Sequence, residues 1–122
     1  MEMIQIKRIY EEKAPEDGQR ILVDRLWPRG MSKKRAQLDE WMKDIAPSPS
    51  LRQFYHQHRE DFTAFKSAYE AELAEDAEKQ QALEELVQRA RNGNVTLLYS
   101  SKNTATNNAK VLLEFLHAHY DV

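Results

Sequence analysis

Two short polar clusters hold most of the side chains in this chain that could do chemistry. One is Asp24-Arg25-Leu26-Trp27-Pro28-Arg29-Gly30; the other is Tyr99-Ser100-Ser101-Lys102-Asn103, with Asn107 a few residues on. Their types suit the capture of an anion. The guanidinium groups of Arg25 and Arg29 and the ammonium of Lys102 make charge-assisted hydrogen bonds to phosphate or carboxylate. Trp27 and Tyr99 offer flat apolar faces for stacking, and Ser100 and Asn107 add neutral hydrogen bonds. Asp24 is the one carboxylate of the cluster and so its candidate general base. Lys33, Lys34 and Arg35 follow Arg29 closely, four bases in seven residues. They open a helix, where the macrodipole favours acids instead, so they read either as a second anion contact or as a solvated basic turn.

Each of these residues also has a purely structural reading. Asp24 and Arg25 can close a strand as an ion pair, Trp27 and Trp41 can be packing, and Asn107 and Asn108 can start the last helix. Other chemistries are excluded more firmly. Ser100-Ser101 lacks the G-x-S-x-G setting of a nucleophile elbow. The pairs His56-Gln57-His58 and His117-Ala118-His119 stand at i, i+2, which on a helix points them apart rather than at one metal. Cysteine is absent, which removes disulfides, thiolate nucleophiles and Cys-based zinc sites. Three glycines are too few for a Gly-rich phosphate loop. No metal and no cofactor are expected.

The elements that must position these clusters follow from hydropathy. Ile4-Gln5-Ile6-Lys7-Arg8-Ile9 alternates as a half-exposed strand does, and Glu16-Asp17-Gly18 provides a turn. Arg20-Ile21-Leu22-Val23 and Val95-Thr96-Leu97-Leu98-Tyr99 are short apolar runs that stop abruptly, the pattern of strands buried on both faces. Ser32 caps a helix predicted to run through Leu38, Trp41, Met42 and Ile45 to Ala46-Pro47. Ser48-Pro49 opens a short second helix through Leu51, Phe54 and Tyr55. Phe62, Phe65, Tyr69 and Leu73 mark a third. Leu83, Leu86, Val87 and Ala90 mark a fourth, closed by Arg89, Arg91 and a left-handed stop at Asn92-Gly93. Val111, Leu112, Phe115 and Leu116 mark the last. The expected fold is one α/β domain over residues 1–122, a small, largely parallel sheet flanked by about five helices in the order β-β-α-α-α-α-β-α. Trp41, Phe65, Leu86, Leu98 and Leu112 are its candidate core. Parallel strands would bring both polar clusters to one carboxyl edge, where open α/β sheets bind ligands.

Composition agrees with an ordinary folded chain: 122 residues, 41% hydrophobic and 31% charged. The net charge of −2 implies no general attraction to nucleic acid or to anionic membrane. Acids crowd residues 60–85, which reads as a solvated helix face. The opening Met1–Gln5 includes Glu2 and has no apolar run of signal-peptide length, and no 18-residue apolar stretch exists. A cytoplasmic protein is expected.

The block Leu22-Val23-Asp24-Arg25-Leu26-Trp27-Pro28-Arg29-Gly30 resembles the YeaO-like proteins, a bacterial family of unknown function. The resemblance is nearly chain-long. It takes in Trp41-Met42-Lys43-Asp44-Ile45-Ala46-Pro47-Ser48 with Leu51-Arg52, the segment from Tyr69 to Leu73, and Leu97-Leu98-Tyr99 followed by Asn107-Asn108-Ala109. It implies a small cytoplasmic α/β protein and supplies no reaction or catalytic residue. Asn103 and Thr106 stand where the family commonly has aspartate and histidine, so no acid–histidine pair is available there. The expected function is binding of a small anionic molecule, phosphate- or carboxylate-bearing and best described as nucleotide-like, with possible acid-base chemistry at Asp24. The alternative is a non-catalytic module that binds nucleic-acid phosphates or a protein partner; no excess of positive charge favours the nucleic acid.

Overall fold

The computed structural model describes residues 4–122, so the first three residues of the opening segment lie outside it. Nine elements follow in order: β1 (Ile4–Arg8), β2 (Gln19–Leu22), α1 (Lys33–Ala36), β3 (Glu40–Trp41), α2 (Pro49–Gln57), α3 (Phe62–Glu75), α4 (Ala77–Arg91), β4 (Val95–Tyr99) and α5 (Asn108–His119), with 3-10 turns at Pro15–Asp17 and Lys43–Ile45. The four strands form one sheet in the order β1-β4-β2-β3, and every pairing is parallel. This is the small parallel α/β fold that the hydropathy implied.

β4 lies between β1 and β2 and all five of its residues are buried, as its largely apolar run implies, with the Thr96 hydroxyl satisfied by donating to Asp17 O at 2.8 Å. Strand alternation sorts its side chains into two cores. Val95, Leu97 and Tyr99 join Ile21 and Val23 in the larger one, with Phe65, Tyr69, Leu83, Leu86 and Leu112 from the helices. Leu98 joins Ile9, Leu22, Met31 and Ala36 in the smaller one on the opposite face, with Trp27 and Trp41 packed at its margin.

The segment after Ser32 corrects the sequence reading. Instead of a helix reaching Ile45, one turn forms and Gln37 adopts φ 48°, a left-handed stop. The chain then extends as β3, a strand the hydropathy did not reveal, and the order becomes β-β-α-β-α-α-α-β-α. The cause is a competition. Three bases in the opening turn weaken the helix against its own dipole, while the open edge of β2 offers backbone partners. Asp39 N–H donates to Arg20 O at 2.8 Å, Asp39 Oδ2 accepts from Arg20 N–H at 2.8 Å, and Met42 N–H donates to Leu22 O at 2.9 Å. Edge pairing outweighs local periodicity. Trp41 consequently stands half-buried on a strand rather than inside a helical stripe.

The other helices begin and end as their caps indicate. Ser48, Asp61, Asp76 and Asn107 accept from backbone N–H groups at the starts of α2, α3, α4 and α5. One detail differs. Asn92 closes α4 at φ −99°, so the left-handed stop expected at Asn92-Gly93 is absent. No helix among the described residues is long and apolar enough to cross a membrane.

Candidate anion-binding cleft

Because β2 and β4 are parallel neighbours, Asp24 and Ser100 leave the sheet together at its carboxyl edge. Their backbones and side chains then lock. Asp24 Oδ2 accepts from Ser100 N–H at 2.9 Å and from Ser100 Oγ at 2.8 Å, while Oδ1 accepts from Asn108 Nδ2 at 3.0 Å. Asn108 also donates to Val23 O at 3.1 Å, and the Trp41 indole donates to Asp24 O at 2.8 Å. One carboxylate thus ties the ends of β2 and β4 to the first turn of α5. Burial raises the Asp24 pKa above the ordinary carboxylate range, and the hydrogen bonds from Ser100 and Asn108, with the nearby charge of Arg52, offset that only in part.

Above this junction opens a cleft of about 790 Å³. Its cations come from three directions: Arg25 and Arg29 from the loop after β2, Arg52 from α2 with Arg59 from the turn just after it, and Lys102 from the loop after β4. Asp24 is the only carboxylate in the lining. None of the five cations lies within 4 Å of a carboxylate among the described residues. The structural reading of Asp24 and Arg25 as an ion pair is therefore not met. Arg25 instead donates to the carbonyls of Pro47 at 3.0 Å and Ala46 at 3.3 Å, fixing the chain that enters α2. Arg59 donates to His56 Nδ1 at 3.0 Å when that nitrogen is the unprotonated one.

Local sequence explains how Arg29 is presented. Met31 N–H closes a turn onto Pro28 O at 3.3 Å, and Gly30 at its third position has φ 75°, a left-handed value that glycine adopts without strain. Arg29, at the second position, is exposed, and its carbonyl is held by the Tyr10 hydroxyl at 2.8 Å. The second loop is braced by Arg8, which donates to the carbonyls of Ser100 and Ser101.

Of the residues singled out from the sequence, Asp24, Arg25, Trp27, Arg29, Ser100, Lys102 and Asn107 line this cleft. Tyr99 does not, and the reason is parity. As the last residue of β4, one place beyond Leu98, it points into the larger core, buried there, its phenol pKa raised by burial and by Glu11. Asn107 lines the cleft only in passing: its Oδ1 caps Lys110 N–H at 2.8 Å and its Nδ2 donates to Asn103 O at 3.0 Å. Trp27 gives its indole N–H to Met31 O at 2.6 Å and meets Trp41 edge to face, centroids 5.3 Å apart. Lys33, Lys34 and Arg35 are exposed and outside the lining.

Sequence reading missed the whole contribution of α2. Arg52, Tyr55 and His56 reach the cleft at the i, i+3, i+4 spacing of one helical face, and Arg59 joins them from the turn that follows the helix. It also missed Asn108. Asn103, where an aspartate was expected from the family, accepts from the N–H groups of Ala105 and Thr106 at 3.0 Å and so shapes the loop. Among the described residues no group of three acidic or histidine side chains could hold a metal ion.

Asp24→Asn separates a strut from a base. The amide turns an NH2 towards donors that now face a carboxylate, so stability should fall by about 1–3 kcal/mol. With its folded pKa raised, ionisation of Asp24 weakens the fold above the unfolded pKa and the penalty disappears as pH falls through the folded value. The deficit of the asparagine variant should therefore widen as pH is lowered from 7 towards 4 in denaturant titrations. A deficit that is constant with pH would contradict the assignment.

Comparison with known proteins places this chain in a family. The chain is 45% identical over 115 residues to the uncharacterized protein YeaO of Escherichia coli (strain K12), an alignment covering 94% of this chain and 97% of that one. It is 40% identical over 114 residues, 93% of each chain, to uncharacterized proteins Mb3100c of Mycobacterium bovis and Rv3073c of Mycobacterium tuberculosis. No solved structure matches. A family model, DUF488-N3i, with the description "Inactive DUF488-N3 subclade", matches residues 3–122, so this YeaO-like chain belongs to the DUF488-N3i family.

Proposed function

We propose that the protein binds a small molecule bearing phosphate or carboxylate in this cleft and does no acid-base chemistry on it. The observation that carries the reading is the charge of the lining, five cations against one carboxylate, with none of the five in an ion pair among the described residues. An anion supplies the missing partner, and in a recess its hydrogen bonds to guanidinium groups gain over those in open water. Arg52 is the central contact: it is half-buried, lies near Asp24, and its guanidinium makes no hydrogen bond among the described residues. Asp24 already accepts three hydrogen bonds, which suits a strut better than a base that must reach a substrate proton. The family description as an inactive subclade supports the same distinction. A cytoplasmic setting belongs to this proposal, consistent with a chain free of cysteine.

Ligand binding stabilises a folded protein by mass action. Phosphate or sulfate at millimolar concentration should therefore raise the melting temperature of the wild type, and raise that of Arg52→Ala and Arg29→Ala by less than half as much. Equal shifts in all three proteins, measured against chloride at matched ionic strength, would count against the cleft.

A further inference from the structure

The cleft holds more than cations, because flat rings stand among them. Arg52 stands on α2 and Arg59 in the turn just after it, and Tyr55 and His56 lie between them in the chain. Tyr55 is braced by Phe65, centroids 4.5 Å apart, and Trp27 is fixed by its bond to Met31 O and by its edge contact with Trp41. Both rings are half-buried and both line the cleft. Rings already immobilised lose little freedom when another ring packs on them. A lone phosphate would use none of this surface and would fill a small part of a space sized for a much larger organic molecule. The hydroxyls of Ser101 and Thr106 in the same lining are the kind of neutral partner a sugar uses.

Resting on the anion-binding reading, we infer that the ligand is a nucleoside phosphate, its base against Trp27 and Tyr55 and its phosphate on Arg52, with Arg29, Arg59 and Lys102 taking further charge at the mouth. Calorimetric titration of the full chain with AMP, UMP, ribose 5-phosphate, adenosine and inorganic phosphate tests this. The nucleotides should bind at least about tenfold more tightly than ribose 5-phosphate, inorganic phosphate or adenosine. Trp27→Leu and Tyr55→Leu should each weaken nucleotide binding about five- to hundredfold, the range of one lost base stack, and leave inorganic phosphate unaffected. The two residues stand on different elements, so if one variant fails to fold the other decides. Ribose 5-phosphate binding as tightly as AMP would overturn the base contact and leave the anion site standing. No binding of any phosphate compound would overturn both. Tighter, steeply salt-dependent binding of a single-stranded oligonucleotide would replace the nucleotide with a nucleic-acid strand.

Discussion

Asp17→Ala should cost the fold about 3–5 kcal/mol, because it strands a buried guanidinium. Arg20 is 0% and Asp17 1% exposed, and their side chains meet at 2.6 Å. Lys7 and the Ala14 N–H also donate to Asp17, while Arg20 donates twice to the carbonyl of Ala36. This cluster anchors α1 and the edge of β2 on which β3 forms, and β3 carries the Trp41 that holds Asp24. Damage at the amino end of the sheet should therefore reach the cleft at the other end. Burial pushes the Asp17 pKa up, but the hydrogen bonds from Ala14, Lys7 and Arg20 together hold it below the ordinary value. With a depressed folded pKa, the stability Asp17 contributes is complete above its unfolded pKa and is lost as pH falls through the folded one. Guanidinium titrations at pH 7 and pH 3 should show the difference between wild type and Asp17→Ala shrinking at the lower pH. A loss below about 1 kcal/mol at pH 7 would show that the pair is dispensable. The double variant Asp17→Leu, Arg20→Met, which removes both charges, should recover much of the loss.

Leu98→Ala should cost about 2–5 kcal/mol, the range for truncating a buried leucine whose surroundings cannot collapse. Leu98 is 0% exposed on the central strand and is shared with Ile9, Leu22, Met31 and Ala36. That smaller core is covered by a single helical turn and two indoles, so it has little material with which to fill a hole. The upper part of the range is expected. A loss within about 0.5 kcal/mol, as at an ordinary surface position, would mean that the strand is misassigned.

The meeting of Asp24 with Ser100 was legible because two apolar runs both end in sudden polarity, and parallel pairing follows from strands joined through helices. What could not be read depends on packing. Tyr99 and Ser100 are adjacent in sequence, yet strand parity sends one into the core and the other to the cleft. Arg52, Tyr55 and His56 carry a helical spacing visible in the sequence, with Arg59 in the turn beyond, but nothing local says that this face of α2 turns towards the sheet edge. The bases after Ser32 resemble an anion site only while the helix is taken to be long; one exposed turn outside the cleft removes that reading. Trp41 shows the same limit, since its helical spacing with Leu38 and Ile45 gave way to an edge strand that only β2 could offer.

Crystals soaked in selenate test the central claim most directly, because the anion's anomalous signal reports its position without assumption about the natural ligand. The account predicts a peak inside the cleft within hydrogen-bonding distance of Arg52 and of at least one of Arg29, Arg59 and Lys102. An empty cleft, with selenate at the Lys33–Arg35 turn or nowhere on the protein, would contradict it.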